Sequence, residues 1–594
     1  MCGIAGFIGN RSNQELFLKN AVQHLQSRGP DGQGILNLGW AGLAHTRLAL
    51  IDLGEGGRQP RTSEYVSIAF NGEIYNWKVL RKDLESRGTK FDSDSDTEVL
   101  LKYIIQFGLS ETLSKVRGIF AFALLEEKTK KITLVRDRFG TKPLYYSISN
   151  GSLTFGSEIS VLEAELSVSE ESLEEYLTFQ NFTGSKTLFR NIHLLEPGVT
   201  LEFNLSSPNP VFTKWTDVTQ LQENTNDYQE NLETTESLFV TSITRNLSAD
   251  VPIGAFLSGG IDSGLIAIFA SKQEKSINSF SIGFEVSQLA PEFKSLDELP
   301  AAQALAKQLG INSFDMILGE SDMWNSLATV ASALEEPRVG QSYPNYYASG
   351  IAAKRNKAVM AGTGGDEFFG GYPWRYGAAL NGLSSKKEQI SSLYQLWHRL
   401  LPPTDLSSIL GINEIDHEFE ICKIIESILE KNSVYEQSYT VRDLMYFDMK
   451  VFLHGLLVVE DKLSMHHGLE VRVPFLDEDL VNFALTLPES HLLRRKINPD
   501  SQLEGKILLR DIMKKMDVGF HHGVKKGFTG PDEIWFRDRA KVMQIIGREA
   551  LIWDFLHREK TQNLIELHFQ GKKNLRLLVW SLLQLELTLI RLTA

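Results

Sequence analysis

From about residue 231 onward, strand-length apolar runs alternate with helix-length ones, and that alternation leaves few folds open. Apolar runs at 253–257, 279–284 and 358–361 are interleaved with helix-like stretches at 265–271, 301–309, 323–334 and 345–355. Parallel neighbours need a crossover, which is usually a helix, so the pattern predicts a parallel α/β sheet. It also predicts where a ligand binds, at the carboxyl ends of the strands. Beyond about residue 380 the chain reads as mostly helical.

Residues 1–205 read differently. Short apolar runs at 4–8, 43–51, 66–70, 120–125 and 132–135 are punctuated by Gly, Asn and Asp, which predicts largely antiparallel sheets. Helices are expected at 14–26, 78–87 and 97–107. The Ser/Pro/Asn-rich and then Gln/Asn/Thr/Glu-rich stretch 206–230 reads as a linker. The chain therefore divides into 1–205, a linker over 206–230, and 231–594. A length of 594 residues is too great for one core.

The net charge of −14 argues against a general nucleic-acid binder, which needs clustered Lys and Arg. Cys2 and Cys422 are the two cysteines, too few for a disulfide framework, so a reducing cytoplasm is expected. Cys422, in a helical-looking stretch, reads as a small core residue. No signal peptide is read before Cys2. The most apolar stretch, 575–592, is broken by Arg576, Gln584, Glu586 and Arg591, so it reads as a core helix and not a membrane span.

Two places carry chemistry. If the initiator Met is removed, Cys2 holds a thiol and a free α-amine on one residue, a nucleophile with its own base. An α-amine with a pKa near ~7.7–8.0 is roughly a tenth to a fifth neutral at pH 7. Further on, the apolar run ending at Leu257 is followed by Ser258-Gly259-Gly260-Ile261-Asp262-Ser263 and then a helical run. Gly259 and Gly260 allow close approach of an anion, and the helix start offers unpaired N–H groups. The loop lacks the Gly-Lys-Ser/Thr ending of a Walker A motif, which disfavours γ-phosphate transfer. A second acidic loop, Gly362-Thr363-Gly364-Gly365-Asp366-Glu367, follows the run at 358–361. One parallel sheet would bring Asp262 and Asp366 to the same edge, where two carboxylates can hold Mg²⁺ on a pyrophosphate.

Together with other strings, these residues resemble the glutamine-hydrolysing asparagine synthetase family over nearly the whole chain. Ser-Gly-Gly-Ile-Asp-Ser is similar to the pyrophosphate loop of N-type ATP pyrophosphatases. In the first half the strings are Met1-Cys-Gly-Ile-Ala-Gly6, Arg28-Gly-Pro-Asp-Gly32, His45-Thr-Arg47, Phe70-Asn-Gly-Glu73, Asp94-Ser-Asp96, the run from Arg136 to Tyr145, and Phe155-Gly-Ser-Glu158. In the second they are the two loops, Asp461-Lys462, the run from Glu470 to Asp477, and Lys525-Lys526-Gly-Phe528. The resemblance implies an N-terminal-nucleophile glutaminase domain of four αββα layers, followed by a parallel-sheet α/β ATP-pyrophosphatase domain with a helical C-terminal part.

It also implies roles. Cys2 would attack the glutamine side-chain amide, giving a thioester and ammonia, with Asn71 and the Gly72 N–H as the oxyanion hole. Arg47, Leu48, Ile51, Glu73 and Asp96 would bind the glutamine. Leu257, Ser258, Gly259, Gly260, Asp262, Ser263, Ile282, Ala361 and Gly362 would contact ATP, with Asp262 and Asp366 on Mg²⁺. Lys525 would neutralise charge at the acyl-adenylate, with Lys526 its rival. Ammonia would pass through an internal channel to displace AMP from an activated carboxylate, most readily that of aspartate. A homodimer is expected from the resemblance alone.

Three positions depart from the family pattern. Thr363 stands where many members carry an acidic residue associated with the incoming amine or the intermediate. Thr cannot act as a base, so water or another group substitutes, or the acceptor differs. Gly264 follows Ser263 where a second Ser is usual, and Ser160 stands where Lys often follows Ser-Glu-Ile. The same chemistry on a cell-surface sugar acid or other small carboxylate is the alternative; a glutaminase with an inactive synthetase half and a non-enzymatic sensor stand behind it. The pairs His466-His467 and His521-His522 lack zinc spacing. Tyr343, Tyr346 and Tyr347 read as helix packing, and the acidic run 163–175 as a solvated face.

Overall fold

A computed structural model describes residues 2–286, 297–495, 503–516 and 530–593. Two six-stranded antiparallel sheets make up the first part. One has the order β10-β8-β9-β1-β3-β2, with β1 Gly3–Ile8, β2 Gly32–Asn37, β3 Ala41–Arg47, β8 Tyr145–Ser149, β9 Ser152–Gly156 and β10 His193–Leu194. The other has the order β12-β11-β7-β6-β5-β4, with β4 Arg61–Ser63, β5 Val66–Ile74, β6 Gly118–Glu126, β7 Lys131–Arg136, β11 Val199–Asn204 and β12 Ser207–Lys214.

The side-chain period of two builds four layers from these sheets. Ile4 and Ile8 of β1 meet Ala69 of β5 and Ala121, Ala123 and Leu125 of β6 between the sheets. The alternate residues Ala5 and Phe7 face outward, against Phe17, Leu18 and Ala21 of helix Gln14–His24. Ile68 and Phe70 of β5, with Phe120 and Phe122 of β6, face the opposite way, against helices Trp77–Ser86 and Asp96–Phe107. The order is helix, sheet, sheet, helix, as the family resemblance implies.

The third sheet is wholly parallel, in the order β15-β14-β13-β16-β17: β13 Ile253–Phe256, β14 Asn278–Phe284, β15 Asn312–Leu318, β16 Ala358–Met360 and β17 Glu470–Arg472. The strand order reverses between β13 and β16, so the connections leaving them diverge and open a crevice at their carboxyl ends. Helices cover both faces. Helix Ile261–Gln273 packs with Tyr228–Asn246 on one, Phe269 against Phe239, and helices Glu320–Leu334 and Tyr343–Ala353 lie on the other. From Pro373 the chain is mostly helical and ends in helix Arg576–Thr593, whose Trp580 is fully buried. Among the described residues no helix is long and apolar enough to cross a membrane.

Three local expectations change. β3 stops at Arg47 rather than running to 51, because the Arg47 guanidinium turns onto the carbonyls of Ile51, Asp52 and Gly54. Part of the 206–230 stretch is a strand: Ser207–Lys214 pairs with β11 as an exposed edge, the position where Pro208 and Pro210 withhold no needed donor. The 163–175 stretch is not uniformly solvated. Glu175 is buried, accepting from the Thr183 N–H and pairing with Lys186 Nζ at 2.8 Å, and Glu174 meets the His417 ring. The Tyr343 hydroxyl donates to Asp532 at 2.6 Å, and the His466 and His467 rings pack on Tyr346.

Candidate active site

The first site lies where β1, β3 and β5 approach one another. Cys2 is buried, and its backbone N–H donates to Asn71 Oδ1 at 3.1 Å. Burial raises its thiol above the usual range, with Glu73 adding to the shift while the Leu48 N–H and Arg47 oppose it. The resting group is thus a thiol that needs a base before it can attack. Asn71 Nδ2 is buried and meets no acceptor among the described residues. A buried unpaired donor costs about 1–3 kcal/mol, so its persistence points to an acceptor that arrives with a ligand. Beside it, Gly72 has φ +154°, and a Cβ there would lie 2.1 Å from the Ile119 carbonyl oxygen. Only glycine keeps this segment of β5 in place.

Three charged groups surround that point. Arg47 is held by backbone carbonyls, at 2.6 Å from Gly54 and 3.1 Å from Ile51. These neutral acceptors orient the guanidinium without cancelling its charge. Asp96 is fixed by the start of its helix, where the Ser95 side chain accepts from the Thr97 N–H at 3.2 Å. Its carboxyl accepts the Ile74 N–H at 3.0 Å, and burial lifts its pKa to about 6. Glu73 is driven well above the usual carboxylate range by burial and by the neighbouring Glu470 and Asp96. One cation and two carboxyls beside a buried thiol match the zwitterionic end of an amino acid.

The second site lies at the crevice of the parallel sheet. After β13 the loop closes on itself: the Ser258 and Ser263 hydroxyls are 3.0 Å apart, and the Gly260 N–H donates to Ser258 Oγ at 3.0 Å. Gly260 precedes helix Ile261–Gln273 without a side-chain cap, leaving the first-turn N–H groups available to an anion. The loop after β16 approaches closely. A Cβ on Gly362 would sit 2.8 Å from Asp262 Cβ, and one on Gly365 would sit 2.7 Å from Asp262 Cγ. The sheet therefore brings Asp262 and Asp366 to one edge. Leu257 and Ala361 are buried at the ends of their strands, and the buried Ile282 lies one strand over on β14.

Sequence reasoning missed what joins the two carboxylates. Lys506 Nζ lies 2.5 Å from Asp262 and 2.6 Å from Asp366. Burial disfavours its charge, but the two carboxylates hold its pKa above the usual lysine range. Its backbone sits at φ +57°, a sparsely populated conformation for a non-glycine residue, just before helix Ile507–Lys515. Only this unusual backbone conformation marks Lys506, and the sequence does not display it. At the place expected for a divalent cation, the two carboxylates thus pair with an ammonium group. Among the described residues no cluster of three or more His, Cys, Asp or Glu forms a complete metal cage. Lys525, Lys526 and His521-His522 lie outside the described residues.

Also missed was Glu460, on helix His454–Met465. It accepts from Thr363 Oγ1 at 3.2 Å, and burial lifts its pKa to about 7. Ser160 and Ile159 give their N–H groups to Glu335 at 2.8 and 2.6 Å.

Buried charges stitch the two sites together. Arg28 Nε donates to the Cys2 carbonyl at 3.3 Å, and its other nitrogens reach Glu158 and Asp461, each at 2.7 Å. Lys142 lies 3.4 Å from Asp461, and Lys462 bridges Glu158 at 2.9 Å and Glu335 at 2.5 Å. Arg472 of β17 pairs with Glu470 at 2.6 Å and faces Glu73 at 3.7 Å.

A family model described as asparagine synthase matches residues 234–590, and one described as a glutamine amidotransferase domain matches residues 1–214. The chain belongs to the asparagine synthase family. It is 30% identical to asparagine synthetase [glutamine-hydrolyzing] 3 of Bacillus subtilis, covering 95% of this chain and 93% of that one. It is 27% identical to asparagine synthetase [glutamine-hydrolyzing] 1 of the same organism, covering 98% and 95%. It is also 26% identical to the amidase chry2 of Gibberella zeae, covering 90% of each. The protein is thus an ATP-dependent C–N ligase with a glutamine amidotransferase half, and its reaction class is glutamine-dependent amidation.

Proposed function

We propose that the acceptor is aspartate, so that aspartate, glutamine and ATP become asparagine, glutamate, AMP and pyrophosphate in the cytosol. The observation that carries this reading is the full-length likeness to relatives named asparagine synthetase, in a chain that keeps both Cys2 and the Asp262–Asp366 pair.

In the glutaminase half Cys2 Sγ attacks the glutamine amide carbon, and the α-amine of the same residue, freed once residue 1 is removed, carries the proton to the leaving ammonia. Asn71 Nδ2 and the Gly72 N–H receive the oxyanion. Arg47 takes the glutamine carboxylate, Glu73 and Asp96 its ammonium group, and Leu48 and Ile51 line the pocket. In the synthetase half the aspartate carboxylate attacks the α-phosphorus of ATP and pyrophosphate leaves. The loop 258–263 holds the phosphates, while Leu257, Ile282, Ala361 and Gly362 border the nucleoside. The hard oxygens of Asp262 and Asp366 suit Mg²⁺ entering with ATP, which would supply charge neutralisation of the pyrophosphate. Lys525 meets the adenylate. Ammonia crosses between the halves away from water, which keeps it unprotonated.

The test is pyrophosphate release with ATP, Mg²⁺ and glutamine, with and without aspartate. Aspartate-dependent release with asparagine formed is the expected result. A second reading keeps the chemistry and changes the acceptor to another carboxylate, such as a sugar acid; the pairing of Thr363 with Glu460 favours it, because it alters the polar lining next to the adenylate loop. Glutamate production without aspartate-dependent pyrophosphate would select that reading.

A further inference from the structure

Glu460 has no part in the aspartate-dependent steps set out above. It lies on the face of helix His454–Met465 that passes the loop after β16, three residues ahead of Asp366 along that loop at Thr363. The residue is part-buried, beside the loop that follows β16. The charged groups around it are Lys142, Asp461 and Glu367. Asp461 is taken by Arg28 at 2.7 Å and Lys142 at 3.4 Å, and Glu367 accepts from the Tyr372 hydroxyl at 2.6 Å. Among the described residues no cation lies within salt-bridge distance of Glu460. Thr363 Oγ1, at 3.2 Å, aims its carboxylate at the loop.

We propose that Glu460 is the base that removes a proton from the attacking ammonia, and that Thr363 positions it. This rests on the amidation reading. The ammonia lone pair forms the C–N bond at the acyl carbon, and the carbonyl π pair moves to oxygen. The new nitrogen carries a positive charge until one N–H bond gives its proton to the Glu460 carboxylate. The oxyanion then re-forms the carbonyl, the C–O bond to AMP breaks, and its electron pair leaves on the AMP phosphate. Water then takes the proton away. Burial first, then Asp461 and Glu367, raise this carboxyl against the Thr363 hydrogen bond and Lys142, to about 7, where a base is most effective at neutral pH.

The experiment uses the full chain with Mg²⁺, ATP, aspartate and ammonium chloride. Exchange of labelled pyrophosphate into ATP reads adenylate formation, and asparagine reads the later step. Glu460→Gln should keep the exchange while asparagine formation falls by about 10²–10⁴-fold, and the acid limb near pH 7 should vanish from its profile. Glu460→Asp should recover part of the lost rate. Thr363→Val, which removes the hydrogen bond favouring the carboxylate, should move that limb to higher pH. Exchange and asparagine formation falling together, or neither falling, overturns the proposal. If Glu460→Gln also loses glutaminase activity, it has misfolded and Thr363→Val decides: an unmoved limb overturns the role. A wild-type protein with no aspartate-dependent exchange would instead sink the amidation of aspartate itself.

Discussion

Replacing Asn71 by Ala separates chemistry from stability, because the two ends of its amide do opposite things. Oδ1 accepts the Cys2 N–H at 3.1 Å, while Nδ2 is buried without an acceptor. Losing Oδ1 orphans one buried donor, a destabilisation of about 1–3 kcal/mol, and losing Nδ2 relieves another of the same size. The two terms nearly cancel. With melting temperatures moving about 2–4 °C per kcal/mol for chains of 150–250 residues, and less for longer ones, the Tm of this chain should scarcely change. The barrier has no such compensation. An oxyanion donor contributes about 2.7–4 kcal/mol, so glutaminase kcat should fall by about 10²–10³-fold. The assay is glutamate release from glutamine beside asparagine formation from ammonium chloride, with a thermal melt on the same sample. A glutaminase loss under about tenfold would refute the oxyanion role. A parallel fall in ammonium-supported synthesis would show that the damage is structural.

Cys2→Ala should lose glutamine-supported synthesis and keep ammonium-supported synthesis; losing both would refute two separate sites. Asp366→Asn should abolish synthesis from either nitrogen source while glutamate release continues, since it removes one of the two carboxylates converging on Lys506. Arg472→Met strips Glu470 of its 2.6 Å partner and Glu73 of a guanidinium 3.7 Å away. Breaking a buried pair costs about 3–5 kcal/mol, so a lowered melting temperature is expected, and an unchanged melt would show the pair to be idle. Burial holds the Asp96 carboxyl at about 6, so it is neutral below that pH and charged above it. A site that binds the glutamine ammonium through it should therefore gain glutaminase kcat/KM as pH rises through about 6. A profile flat from pH 5 to 7 would contradict that contact.

Much of the architecture can be read from local sequence. The period of two in 66–70 and 120–125 reflects two-sided strands, and Gly259-Gly260 between an apolar run and a helical one marks the crevice loop. β15 and β17 were harder to see. Asn312–Leu318 is an edge strand that exposes Asn312, Asp315 and the apolar Ile317, so no clean period of two marks it, and Glu470–Arg472 is three residues long with charged ends. Cys2, Asn71, Asp262 and Asp366 stand in recognisable strings, and the fold sets Asn71 against Cys2 and both aspartates against Lys506. Lys506 and Glu460 reach their places through contacts across 244 and 97 residues of chain, and nothing local announces such a contact. Arg472 is in a recognised string, but its reach to Glu73 depends on how the two halves dock.

One residue of β17 takes part in that docking with both its main chain and its side chain. The Arg472 carbonyl accepts the Ala361 N–H at 2.9 Å, at the root of the loop that carries Thr363 and Asp366, while its guanidinium faces Glu73. Main chain and side chain of one residue therefore index two pockets to the same coordinate. A drift in the glutamine pocket would be transmitted to the nucleotide loop as a rigid displacement, so the two cannot diversify independently on this side of the sheet. Changes of acceptor within such a lineage should accumulate on the walls of the nucleotide crevice that Arg472 does not tie to the glutaminase.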